Sequence, residues 1–280
     1  AFAARHKDSG VKVGYLPEQG EVIVVGDLHG DLASLENILK KSDFENRVQK
    51  QKDLYLVFLG DYVDRGKKQI DVLISILKLK KKYVKNVFLI RGNHETREIS
   101  IKYGFHKELI DKYGFHDGEH LFEICNRLFE ELCLFIVTAN GTLLVHGGLP
   151  YIEKPPSFKN FFEEDAQLDI LWNDPVQDDG RDRWAYSLRG ALIFPEYAVD
   201  QLNAVGINKI IRAHEVREEP GEAMDLNQKV VTVFSTGLGS DDVYSGYKSI
   251  CTVPYYVVLD LSQSGRRWHV NRNIVFVAIF

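Results

Sequence analysis

Leu54-Tyr55-Leu56-Val57-Phe58-Leu59-Gly60-Asp61-Tyr62-Val63-Asp64-Arg65-Gly66 is the stretch on which the reading of this chain turns. Leu54–Leu59 is an apolar run of strand length, and it gives way at Gly60 to two carboxylates and an arginine. In open α/β sheets ligands bind beyond the carboxyl ends of the strands. Glycines beside the polar residues allow sharp turns and close backbone approach. The segment therefore reads as a buried strand that delivers Asp61, Asp64 and Arg65 to a site.

Working outward, four more apolar runs stop in the same way. Val22–Val25 ends in Gly26-Asp27-Leu28-His29-Gly30, and Asn86–Ile90 ends in Arg91-Gly92-Asn93-His94-Glu95. Thr142–Val145 ends in His146-Gly147-Gly148, and Ile207–Ile211 ends in Arg212-Ala213-His214-Glu215. A lone Asp or His after a strand is ordinarily a solvated loop residue. Five such ends side by side would gather Asp27, His29, Asp61, Asn93, His146 and His214 into one patch. Carboxylate, imidazole and amide oxygen together suit divalent or trivalent ions such as Mn, Fe or Zn. Calcium would want more oxygen ligands and no imidazole. Asp61 is central enough in the order to bridge two ions. Asp27 and His29, two residues apart, point the same way if their segment is extended.

Between these runs lie amphipathic stretches. Leu32, Leu35, Ile38 and Leu39 have helical spacing, as do Ile70, Leu73, Ile74 and Leu77. Residues 97–112 and 119–132 also read as helices, and another is opened by Pro195 and closed by Gly206. Asn140-Gly141, between Leu134–Ala139 and Thr142–Val145, signals a hairpin turn with positive φ. Val230–Ser235, Tyr255–Leu261 and Asn273–Phe280 read as strands of a second sheet packed on the first. The expected fold class is α/β, a central β-sandwich flanked by helices with the active site at the strand carboxyl ends. No linker or repeat interrupts the chain, so one domain is expected over residues 1–280, with the motifs in about 20–240 and strands in 241–280.

With 280 residues, 45% of them hydrophobic, the chain can bury a sizeable core. A formal net charge of −5 argues against nucleic acid or an acidic membrane surface as partner. Cys125, Cys133 and Cys251 are too few and too scattered for a disulfide framework and read as reduced thiols. The sequence does not start with Met. It shows no secretory signal and no apolar run long enough to cross a bilayer, so a cytoplasmic location is expected, with trimming upstream left open.

Asp27-Leu28-His29-Gly30, Gly60-Asp61-Tyr62-Val63-Asp64-Arg65-Gly66, Arg91-Gly92-Asn93-His94-Glu95 and His146-Gly147-Gly148-Leu149 resemble the PPP family of serine/threonine protein phosphatases, within the calcineurin-like metallophosphoesterases. Tyr103-Gly104-Phe105, Leu171-Trp172-Asn173-Asp174-Pro175, Arg189-Gly190 and Arg212-Ala213-His214 extend the resemblance over roughly residues 20–240. It implies a metallophosphoesterase-like fold and two metal ions, the first on Asp27 and His29, the second on Asn93, His146 and His214, with Asp61 between them. It implies that His94, oriented by Asp64, donates the proton, and that Arg65 and Arg189 grip the phosphoryl oxygens. The implied reaction is hydrolysis of phosphoserine or phosphothreonine by direct attack of a metal-bridging hydroxide. Expected partners are a phosphoprotein or phosphopeptide substrate and regulatory subunits that the sequence does not name.

The chemistry supports these roles independently. Two ions about 4 Å apart clamp an in-line displacement and lower a bound water's pKa from about 16 towards 7. Arginine's planar fork matches phosphate oxygens, and a histidine is suited to protonate the leaving alkoxide. A carboxylate on its far nitrogen is expected to raise the pKa of His94. Among supporting residues, Arg91 and Glu95 read as an ion pair bracing their loop. Asp64 and Arg65 have the plainer option of pairing with each other. His6, His106, His116, His120 and His269 sit in no motif. Where the family carries Ser-Ala-Pro-Asn-Tyr-Cys, this chain has Phe234-Ser235-Thr236-Gly237-Leu238-Gly239-Ser240-Asp241-Asp242, with Tyr244 and Tyr247 as candidates for the missing tyrosine. That departure bears on substrate choice. The alternatives are a small-molecule phosphoesterase such as a dinucleoside polyphosphate hydrolase, a tyrosine-directed phosphatase, and a catalytically dead phosphoprotein-binding scaffold.

Overall fold

The computed structural model describes residues 12–152, 158–163, 165–176, 183–187, 190–217, 220, 223–237, 253–262 and 274–279. Its strands are β1 Val13–Leu16, β2 Glu21–Val25, β3 Leu54–Phe58, β4 Val87–Leu89, β5 Phe135–Thr138, β6 Thr142–Val145, β7 Asp174–Pro175, β8 Ala185–Tyr186, β9 Leu192–Phe194, β10 Lys209–Arg212, β11 Met224–Asp225, β12 Val230–Thr232, β13 Tyr255–Asp260 and β14 Ile274–Ala278. The helices are α1 Leu32–Ser42, α2 Phe44–Lys50, α3 Gln69–Lys82, α4 Arg97–Lys102, α5 Phe105–Tyr113, α6 Phe115–Glu130, α7 Ala166–Trp172 and α8 Glu196–Gln201.

Two sheets form the sandwich, in the orders β14-β13-β2-β3-β4 and β1-β5-β6-β10-β12-β11. Strands β2, β3 and β4 run parallel, and β10 is parallel to both β6 and β12. Alternation along the strands shows how the layers are filled. In β2, Val22 and Val24 pack between the sheets with Val57, Ile211 and Val231, while Ile23 and Val25 pack outward on α1, α3, α5 and α6. In β6, Leu144 faces the inter-sheet core, and Leu143 and Val145 pack outward with α7 and α8. Both faces of these strands are buried, which is why they read as continuous apolar runs. No described helix is long and apolar enough to cross a membrane.

Four expectations change. The five site-bearing strands do not lie side by side: β2, β3 and β4 belong to one sheet, β6 and β10 to the other. The C-terminal strands do not make a sheet of their own either. β12 extends the second sheet, while β13 pairs with β2 in the first. The site therefore straddles the ends of both sheets. The helix expected over 97–112 is broken at Tyr103-Gly104, where Gly104 takes φ 115° and α5 starts afresh. The helix expected over 119–132 starts earlier, at Phe115, and ends at Glu130. The other signals hold. Gly141 turns the β5–β6 hairpin at φ 87°, and Gly206 stops the turn after α8 at φ 85°.

Candidate metal centre and catalytic pocket

The ends of β2 and β3 are stitched together by backbone hydrogen bonds. Leu28 N and His29 N both donate to Asp61 O, at 3.0 and 2.8 Å, and Gly30 N donates to Tyr62 O at 2.9 Å. The turn at Asp61 is held from beneath by Glu95. Its buried carboxylate accepts the N–H groups of Asp61 (2.7 Å), Tyr62 (2.9 Å) and Gly92 (2.9 Å). Of nine described non-glycine residues with positive φ, five are His29, Asp61, Asp64, Arg65 and His214, so backbone strain is concentrated at the site. Close approach also dictates a glycine at position 92, where a methyl group would collide with the Asp61 carboxylate and backbone nitrogen.

Five side chains then converge on Asp61. His29 Nε2 lies 3.4 Å from Asp61 Oδ2 and 3.7 Å from Asp27 Oδ2. On the other side, His146 Nε2 lies 3.3 Å from Asp61 Oδ1 and 2.9 Å from the Asn93 amide, which is 3.1 Å from His214 Nδ1. Backbone carbonyls set two of the imidazole tautomers. His29 Nδ1 donates to Val63 O (2.9 Å) and His146 Nδ1 donates to Leu59 O (3.0 Å), so each Nε2 turns a lone pair inward. His214 N donates to Asp27 Oδ1 at 3.0 Å, tying the fifth strand end to the first. Ligand atoms of His29, Asp61 and His94 lie within 4.8 Å of one another, as do those of Asp61, His146 and His214. Each group could hold a metal ion, and Asp61 is common to both.

The donor set fits cations. The Asn93 amide sits among acceptors only, 3.2 Å from both Asp61 oxygens, and Asp27 Oδ2 receives no hydrogen bond. Converging lone pairs repel unless a positive charge lies among them. Charge tells the same story. Burial pushes Asp27 up to about 6, and it pushes Asp61 well above the carboxylate range, with Asp27 and Glu95 adding to it. Burial likewise drives His29 and His146 towards the neutral form a ligand needs.

Beside this cluster, His94 Nδ1 is 2.7 Å from Asp64 Oδ2, and His94 Nε2 is 4.0 Å from Asp61 Oδ2. Asp64 thus pairs with His94 and not with Arg65. Burial, aided by Arg65, lowers the pKa of His94, and burial raises Asp64 to about 8. The expected rise in the pKa of His94 is therefore not found: desolvation outweighs the single carboxylate. Arg65 N donates to Tyr103 O at 3.1 Å, and the guanidinium carbon lies 5.0 Å from the Tyr103 ring centroid. That ring is also 5.1 Å from the His94 ring. A pocket of about 240 Å³ opens over these groups, lined by Asp61, Arg65, Asn93, His94, Tyr103, Trp172, His214, Glu215 and Val216.

Arg189, Tyr244 and Tyr247, and the segment from Leu238 to Asp242, lie outside the described residues. Two readings need correction. Asp27 and His29 share a direction through a turn, with His29 at φ 46°, and not through an extended segment. Arg91 and Glu95 form no side-chain ion pair. Arg91 Nε donates to the Glu95 carbonyl at 2.9 Å, because the Glu95 carboxylate is occupied by backbone amides. The Tyr103 platform is a function not read from the sequence, whereas Arg212 is a buried support of the ligand-bearing strand ends. Arg212 bonds Gly147 O, Asp174 Oδ1 (2.7 Å) and Glu215 Oε2 (2.6 Å), and so ties the fourth and fifth strand ends to the segment after Trp172.

Residues 20–218 match the family described as calcineurin-like phosphoesterase. The serine/threonine-protein phosphatase 4 catalytic subunit of Saccharomyces cerevisiae is 35% identical over 223 residues, covering 76% of this chain and 68% of the relative. A serine/threonine-protein phosphatase of Caenorhabditis elegans is 34% identical over 226 residues, 77% of this chain and 47% of the relative. The chain thus spans about half the length of its nematode relatives. A solved Saccharomyces cerevisiae protein serine/threonine phosphatase with similarity to human phosphatase PP5 superposes with a TM-score of 0.74 at 26% identity, over 95% of this chain and 82% of the other. The chain belongs to the calcineurin-like phosphoesterases and, within them, to the serine/threonine-protein phosphatases.

Proposed function

We propose that this chain hydrolyses phosphoserine and phosphothreonine in proteins, using Asp27, His29 and Asp61 to hold one metal ion and Asp61, Asn93, His146 and His214 to hold a second. The observation that carries the reading is the shared carboxylate: Asp61 stands between two buried ligand groups, with His94 and Arg65 on the same pocket wall. When bound, such ions supply Lewis acidity and make water a competent nucleophile at neutral pH. Manganese, iron and zinc all suit the donor set.

The chain's own groups do the rest. Arg65, fixed by the Tyr103 carbonyl and ring, presents its fork to the phosphoryl oxygens. His94 turns Nδ1 to Asp64 and Nε2 to the pocket, so Nε2 is the atom that delivers a proton to the leaving alkoxide. No serine or cysteine lines the pocket among the described residues, in keeping with attack by water and no phosphoserine or phosphocysteine intermediate.

The test is a side-by-side assay of metal-loaded protein on a phosphoserine peptide, a phosphotyrosine peptide and a dinucleoside polyphosphate. The expected order of kcat/KM puts the phosphoserine peptide first. Preference for either of the others would replace the substrate assignment while keeping the centre. Inertness towards every phosphate ester, including an aryl phosphate, would leave a scaffold.

A further inference from the structure

One cation near the pocket has no catalytic task. Lys102 ends α4 and is exposed, and its ammonium lies 5.3 Å from the centroid of the Tyr103 ring. Glu98 stands one turn earlier, at the spacing that usually pairs with lysine. Among the described residues, however, Lys102 forms no ion pair, and its ammonium rests on the aromatic ring instead. The neighbouring helical cations are engaged: Arg97 with Glu123, Lys107 with Asp111, Lys112 with Asp71. Within the pocket, Glu215 is held by Arg212 and Arg217.

Tyr103 thus carries two cations with different duties. Arg65 Cζ at 5.0 Å and Lys102 Nζ at 5.3 Å from one centroid lie at most about 10 Å apart. A phosphoryl group on Arg65 leaves the adjacent residue of an extended peptide, one Cα step of about 3.8 Å away, within side-chain reach of Lys102.

We propose that Lys102 is a specificity-determining residue that selects phosphopeptides with an acidic residue next to the phosphorylated serine or threonine. This rests on the protein-phosphatase reading above. Because the ammonium is solvated, the effect is modest, about fivefold at low salt. It fades at high ionic strength, where the screening length falls to about 3 Å at 1 M.

The experiment compares kcat/KM for two phosphoserine peptides that differ only in Glu or Lys flanking the phosphorylated residue. It uses metal-loaded wild-type protein, Lys102→Gln and Lys102→Glu, at low and high salt, with p-nitrophenyl phosphate as the peptide-free substrate for wild type. The expected result is a Glu-over-Lys ratio that falls about fivefold in Lys102→Gln, falls further in Lys102→Glu, and shrinks in wild type as salt is raised. Turnover of both peptides with a ratio indifferent to residue 102 would overturn the role of Lys102 and leave the phosphatase reading standing. Hydrolysis of p-nitrophenyl phosphate but of neither peptide would overturn the protein-phosphatase reading, and this proposal with it.

Discussion

Asp64 holds His94 through a 2.7 Å contact between Oδ2 and Nδ1, while its other oxygen accepts the first amide of α5, Phe105 N, at 3.0 Å. The carboxylate is therefore oriented from two sides, by a helix N-terminus and by the imidazole. It fixes which His94 nitrogen faces the pocket.

Replacing Asp64 by Asn keeps the shape and changes the tautomer. The Phe105 amide retains the Asn oxygen, so the NH2 group meets Nδ1 and excludes a proton there; His94 is then confined to the neutral form protonated at Nε2, a far weaker acid than the imidazolium that Asp64 supports. Turnover of a phosphoserine peptide is expected to fall about a hundredfold or more, with metal content unchanged. p-Nitrophenyl phosphate should lose less, since its leaving group needs no proton. Equal losses on both substrates would remove His94 from the proton-donor role.

Glu95 accepts four amides around the Asp61 turn, those of Asp61, Tyr62, Val63 and Gly92. Glu95→Gln turns an NH2 group towards one or more of these N–H donors. The expected cost is about 1–3 kcal/mol of stability, together with metal affinity about 10- to 100-fold weaker, as for other groups that brace a ligand. Thermal melts and metal titration measure the two. Unchanged metal affinity would reduce Glu95 to a purely structural anchor.

The motif residues were legible because an apolar run followed at once by Asp or His exposes its own register. The allocation of strands to sheets was not. With both faces apolar, as in Val22–Val25, alternation says nothing about which neighbour a strand pairs with. The break at Gly104 was hidden for another reason: the group that takes the Phe105 amide is Asp64, forty-one residues earlier. The ion pair expected between Arg91 and Glu95 was a sensible local choice that lost to backbone amides needing an acceptor. Two-residue strands such as Ala185–Tyr186 carry too little pattern to be read at all.

Burial raises Glu95 to about 7 and Asp64 to about 8, both well above their values in an unfolded chain. The sign follows. As pH rises from about 6.5 to 8.5, the folded metal-free protein still holds protons that the unfolded chain has lost, so its stability falls. His29, His94 and His146 are shifted down, and they act below that window, where the unfolded chain would take up protons first. Chelator-treated protein is expected to melt at progressively lower temperature across this range, and added manganese should flatten the slope by occupying deprotonated ligands. A pH-independent melt of the metal-free protein would contradict the buried carboxylate cluster as described.

Arg212 separates the effect of charge from that of geometry. Its side chain is fully buried and is shared between Asp174, Glu215 and the carbonyls of Gly147 and Asn173. Removing it by Arg212→Met takes an ion-pair partner from two largely buried carboxylates, at an expected cost of about 3–5 kcal/mol. Arg212→Lys keeps the charge but cannot span four acceptors with a single ammonium. If the fork is what matters, the lysine variant should recover less than half of the lost stability and should still weaken metal binding at His146 and His214, because Gly147 and Glu215 adjoin those ligands. If the lysine variant melts like wild type, charge alone suffices, and the link between Arg212 and the two strand ends has no energetic weight. Melting temperature and metal stoichiometry measured on the same two variants decide between these outcomes.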